Sequence, residues 1–105
     1  MTDILQKLEE TIRDRRDADP NDSYVAQLRS KGRAKMAEKL GEEAVEAVIA
    51  AVQDDRAAMT GEAADVLFHL LVLLDDMNLT IDEILAELQR REGLSGISEK
   101  AARKD

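Results

Sequence analysis

The chain has 105 residues, 23 Asp and Glu against 15 Lys and Arg, a net charge of -8, one histidine and no cysteine. One domain fits that length and a second catalytic domain does not; the acidic balance disfavours nucleic-acid backbone as a partner, and the missing cysteines exclude disulfide scaffolds, thiolate zinc sites and cysteine nucleophiles. Met1-Thr2-Asp3 does not begin a secretory signal, and no apolar run approaches the ~20 residues of a membrane span, so a soluble cytoplasmic protein without a membrane partner is expected.

Hydrophobic residues make up 44% and aromatics only 2%, which assigns the core to Leu, Ile, Val, Ala and Met. Few Gly, one Pro and helical spacing throughout predict an all-α chain. Leu5, Leu8 and Ile12 mark one face of a first helix from about Thr2 to Asp17, which the Pro20-Asn21-Asp22-Ser23 turn cluster stops. Ser23 is placed to cap a short helix through Ser30, with Gly32 as its stop. A second long helix runs from about Ala34 to Val52, its apolar stripe being Met36, Leu40, Ala44, Ala47, Val48 and Ala51. Gly41 lies inside it at a cost of about 1 kcal/mol relative to Ala, which calls for a reason such as close helix approach.

A third long helix spans about Arg56 to Met77. Its segment from Val66 to Leu74 is apolar on every side, as in a helix buried all round. Asn78 suits its end, and Thr80-Ile81-Asp82-Glu83 has capping-box form for a fourth helix ending before Gly93. The expected organisation is one domain over residues 1–93 and a loosely held polar tail over 94–105. So few helices leave little material to surround the third long one, and a homodimer burying it between protomers is expected. A monomeric antiparallel bundle is the alternative.

Two carboxylate clusters stand out, Glu42-Glu43-Ala44-Val45-Glu46 and Glu62-Ala63-Ala64-Asp65. Residues three apart share a helix face, so Glu43 with Glu46, and Glu62 with Asp65, each form a two-carboxylate claw bordering apolar sequence. Either claw alone reads as a solvated face. Antiparallel packing of the two helices brings all four together, at a cost that a cation between them would relieve. All-oxygen donors suit Mg²⁺ or, as a substitute, Mn²⁺. A di-iron bundle would want Glu-x-x-His, and Val66 stands three before His69.

His69 shares the face of Glu62 and Asp65, as a substrate contact or as a hydrogen-bonded core histidine. Tyr24 offers a flat surface to a nucleobase or anchors the short helix. Arg29, Lys31, Arg33, Lys35 and Lys39 face a single acid, Glu38, so the -8 divides into +4 over 29–39 and -12 elsewhere. That stretch is ordinary helix-surface pairing, with Lys39 and Glu43 at i, i+4, or it is a phosphate-binding lip in which Lys31, Lys35 and Lys39 meet substrate.

Ser23-Tyr24, Leu28, Gly32, Lys39-Leu40-Gly41-Glu42-Glu43-Ala44-x-Glu46, and Glu62-Ala63-Ala64-Asp65-Val66-Leu67-Phe68-His69-Leu70-Leu71 together resemble the phosphoribosyl-ATP pyrophosphohydrolase family of the MazG-like all-α nucleoside triphosphate pyrophosphohydrolases. The resemblance covers about positions 4 to 91; Phe68 stands where the family often has Tyr. It implies a helical bundle of about four to five helices that cleaves phosphoribosyl-ATP to phosphoribosyl-AMP and pyrophosphate, the second step of histidine biosynthesis, in a stand-alone form without a cyclohydrolase portion. In that reading Glu43, Glu46, Glu62 and Asp65 hold Mg²⁺, which neutralises the leaving pyrophosphate and lowers the pKa of a water. Glu42 is the candidate base and Lys39 the candidate phosphate contact. Arg13, Arg90 and Arg91 are candidates for the phosphoribosyl group. Two alternatives stand: a MazG-like enzyme for ordinary or damaged nucleoside triphosphates, and a non-enzymatic helical interaction module.

Overall fold

Four helix starts are set by short polar side chains that accept from amides with no partner of their own, in a computed structural model that describes residues 3–93. Asp3 accepts from the Gln6 amide and begins α1 (Ile4–Arg15); Ser23 accepts from the Ala26 amide and begins α2 (Tyr24–Lys31). Gly32, at φ 94°, ends α2 and opens α3 (Arg33–Val52) in one residue, in a left-handed conformation that glycine adopts without penalty. Asp54 turns the chain at φ 55°, and Asp55 caps α4 (Arg56–Asp76). Asn78, at φ 59°, stops α4, and Thr80 with Glu83 forms the expected capping box of α5 (Ile81–Arg91). No strand occurs among the described residues, so the all-α expectation holds. The predicted tail, 94–105, lies outside them.

α3 and α4 form a long antiparallel hairpin, against which α1 and α2 pack at the end away from the turn, with α5 on α1. The core therefore gathers at that end. Ile12, Val25, Leu28, Met36, Leu71, Val72, Leu74 and Ile81 are buried there, with Leu5, Leu8, Phe68 and Ile84 packed around them. Across the core, the Glu9 carboxylate accepts from the Ile81 amide at 2.6 Å and ties α1 to the start of α5.

Two aspartates end α4, where the helix dipole disfavours negative charge. Each is met by an arginine from another helix or its flank: buried Asp75 by Arg16 at 3.4 Å, Asp76 by Arg33 at 2.7 Å.

Within a single chain α4 is buried from His69 to Asp75, while Leu67, 45% exposed, lies on surface that the expected homodimer would cover. The hairpin's turn end corrects two expectations. The α3 stripe is covered at Met36, but Ala44, Val48 and Ala51 are exposed, because among the described residues only α4 flanks that half of α3. A Cβ at Gly41 would meet nothing within 4 Å, so no close helix approach explains that glycine. In addition, α4 is long and apolar enough to cross a membrane by length and composition, contrary to the expectation that no segment is.

Ile12 is 1% exposed and sits where α1 meets the core. Ile12→Val should cost about 1 kcal/mol of unfolding free energy and Ile12→Ala about 2–5 kcal/mol, read from urea midpoints at unchanged slope.

Candidate active site

The hairpin brings the two claws face to face. One carboxylate oxygen each from Glu43, Glu62 and Asp65 lies within 4.8 Å of the others. Glu43 and Glu62 are half-buried and Asp65 is exposed. Glu46, exposed at the edge, stands outside this trio yet close enough to act on both Glu43 and Glu62.

Such crowding should favour protons, and it does. Burial, followed by the neighbouring Glu46, Asp65 and Glu62 carboxylates, pushes the Glu43 carboxyl up from 4.5 to about 7. Burial and Glu46 likewise raise Glu62, whose Oε2 is buried without a hydrogen-bond partner. An oxygen donor left bare among like charges is what a hard cation would satisfy, so the residues present fit Mg²⁺.

His69 lies behind this cluster rather than in the open. It is 5% exposed, its Nε2 is 4.0 Å from Glu43 Oε1, and its ring meets Tyr24 and Phe68 edge-on at 6.0 and 5.2 Å between centroids. Burial, helped by Lys39, lowers its pKa against the opposing pull of Asp65 and Glu42. Tyr24 rests one face near Phe68, with centroids 6.1 Å apart and planes 18° from parallel, yet remains 47% exposed.

Beside Tyr24 runs a groove of about 300 Å³ lined by Tyr24, Leu28, Lys31, Lys35, Lys39 and Glu42. The adjacent glutamates thus part company, Glu43 turning into the carboxylate trio and Glu42 into the groove. Lys39 pairs with Glu42 at 3.9 Å and not with Glu43. Leu28, which the sequence offers only as part of the resemblance, also lines the groove, and its spacing of four from Tyr24 on a helix is the signal for it. The basic stretch splits as well: Arg29 is drawn to Asp17 at 3.9 Å and Arg33 to Asp76, whereas Lys31, Lys35 and Lys39 all line the groove. On the turn side, a hollow of about 230 Å³ touches Glu46 and Glu62. A larger one of about 370 Å³ at the α3–α4 turn contains none of the clustered carboxylates.

Fold and site together give an all-α protein in which a cluster of carboxylates adjoins a lysine-lined groove. Residues 5–92 match the family model described as phosphoribosyl-ATP pyrophosphohydrolase. A phosphoribosyl-ATP pyrophosphatase of Rhizorhabdus wittichii is 61% identical over 103 residues, covering 98% of this chain and 97% of its own. Those of Dinoroseobacter shibae and Erythrobacter litoralis are 60% and 59% identical, over 95% and 96% of this chain and 98% and 97% of theirs. The chain belongs to the phosphoribosyl-ATP pyrophosphohydrolase family.

The raised Glu43 carboxyl links stability to pH in chelator-treated protein. The folded state holds that proton more tightly than the unfolded chain, so the associated stability is full below about 4.5 and is lost as pH rises through about 7. Melting in EDTA should therefore show this contribution falling between those values, and Glu43→Gln should flatten that part of the profile.

Proposed function

We propose that the protein hydrolyses phosphoribosyl-ATP to phosphoribosyl-AMP and pyrophosphate, as the second step of histidine biosynthesis, in the cytoplasm and without nucleic-acid or membrane partners. The observation that carries the chemistry is the trio Glu43, Glu62 and Asp65, with a bare Glu62 oxygen, at the edge of a lysine-lined groove. Family membership supports the choice of substrate.

Glu43, Glu46, Glu62 and Asp65 would hold Mg²⁺, with Mn²⁺ as substitute. When bound, the ion supplies charge neutralisation for the triphosphate and the leaving pyrophosphate. The chain's own groups do the rest. Lys39 pairs with phosphate oxygens next to the trio. Glu42, in the groove, accepts a proton from the attacking water; the water oxygen bonds to phosphorus, the α–β bridging bond breaks, and pyrophosphate leaves with its electron pair. Tyr24 presents its open edge and face to the base. His69 contributes from beneath, backing Glu43 and Tyr24.

Glu46→Gln and Asp65→Asn should each abolish pyrophosphate release with helix content unchanged, and should shrink the rise in melting temperature that Mg²⁺ produces. Full activity of either variant would overturn the assignment. Pyrophosphate release from dUTP or dCTP but not from phosphoribosyl-ATP would favour an enzyme for ordinary nucleotides. Absence of any Mg²⁺-dependent stabilisation would favour a packing module.

A homodimer is part of the same reading. Val45, Val48, Ile49, Val52, Met59 and Leu67 are exposed on the hairpin half that no other helix among the described residues covers, and a second copy would supply a matching apolar face. Sedimentation should give twice the 11.7 kDa chain mass, and Val48→Asp should shift the protein toward monomer.

A further inference from the structure

Phosphoribosyl-ATP is anionic at two ends: a triphosphate on one side of the adenine and a ribose 5-phosphate on the other. The groove is cationic at two places. Lys39 stands one turn before Glu43, beside the carboxylates. Lys35 precedes Glu43 by eight residues, ~12 Å along the α3 axis at the ordinary helical rise. Lys31 lies beyond it, on the last turn of α2 across Gly32. Exposed Tyr24 and apolar Leu28 form the groove's uncharged wall.

We infer that Lys31 and Lys35 form a second anion subsite that takes the ribose 5-phosphate, and so select phosphoribosyl-ATP over plain nucleoside triphosphates. This rests on the hydrolase reading above.

Three observations carry it. First, the leaving pyrophosphate already has Lys39 beside the carboxylates, which leaves Lys31 and Lys35 as cations in excess of its needs. Second, Lys31 makes no ion pair among the described residues, and Lys35 makes only an exposed pair with Glu38 at 3.4 Å, of the weak and screened kind a phosphate can displace. Third, the arginines that the sequence offered for this role are engaged elsewhere: Arg13 with Glu9 on α1, Arg90 and Arg91 with Glu87 on α5, and none of them lines the groove. The basic residues within 29–39 are sorted by chemistry, with the forked guanidiniums of Arg29 and Arg33 turned to aspartates and the flexible ammoniums turned to the groove.

The test pairs enzyme variants with substrates that differ by one phosphate. Lys31→Met with Lys35→Met should raise KM for phosphoribosyl-ATP by about tenfold to a hundredfold with kcat within about twofold, the loss expected for charge-assisted contacts made equally in ground and transition states. The same pair of substitutions should leave KM for ribosyl-ATP, which lacks the 5-phosphate, at the wild-type value, and Lys31→Arg with Lys35→Arg should recover most of the lost affinity. Equal losses on both substrates, or a loss confined to kcat, would overturn the subsite. Calorimetry with phosphoribosyl-AMP and ribosyl-AMP, which are not turned over, separates this inference from the reading beneath it. Wild-type protein that prefers phosphoribosyl-AMP tenfold, a preference erased by the double substitution, supports the subsite even if no pyrophosphate is released from phosphoribosyl-ATP. Turnover of phosphoribosyl-ATP without that preference keeps the hydrolase and overturns the subsite.

Discussion

Crowding of like charge between α3 and α4 is the constraint on which the rest of the molecule turns. The hairpin can close only by setting Glu43 against Glu62 and Asp65, and neither helix relieves the repulsion from its own side. Burial and the neighbouring carboxylates raise the Glu43 carboxyl to about 7, so taking up a proton is one route to relief. The cohesion that holds the crowd together comes from elsewhere, from Met36, Leu71, Val72 and Leu74 packing with Ile12, Val25 and Leu28 beyond the site. The apolar end of the hairpin thus stabilises what its acidic middle destabilises, a division common where a site must stay ready for a ligand.

Charge elsewhere is sorted by the same logic. The C-terminal end of α4 carries two aspartates that its dipole disfavours, and Arg16 and Arg33 compensate them from other parts of the chain. Those arginines hold helices in place. The lysines nearby are left to face the groove. A net charge of -8 therefore conceals three populations: surface acids, structural ion pairs, and a cationic groove next to an anionic cluster.

Much of this was legible from spacing alone. Ser23 and Thr80 announce helix starts because their side chains satisfy nearby amides, a local matter. The i, i+3 claws were legible for the same reason. What spacing does not carry is which neighbour covers a face. The α3 stripe reads as buried from Met36 to Ala51, but only its first part meets α2, and the exposed remainder follows from where that helix ends. The Lys39 ammonium stands 3.9 Å from Glu42, while Glu43 is packed against the carboxylates of the opposite helix, a tertiary placement that spacing does not show. Arg16 with Asp75, 59 residues apart, had no local signature at all.

The short turn between α3 and α4 also bears on how quickly the site comes into being. Its two halves are separated by one tight turn in the chain, so the carboxylates meet through closure of a small loop, while α1 must find α4 across most of the sequence. Contacts of low sequence separation form at little entropic cost. Contact order favours hairpin before bundle, and in that order the repulsion among Glu43, Glu62 and Asp65 would be met before the core that offsets it has closed. Solution conditions that mask those charges thus bear on the speed of folding as well as on the finished protein.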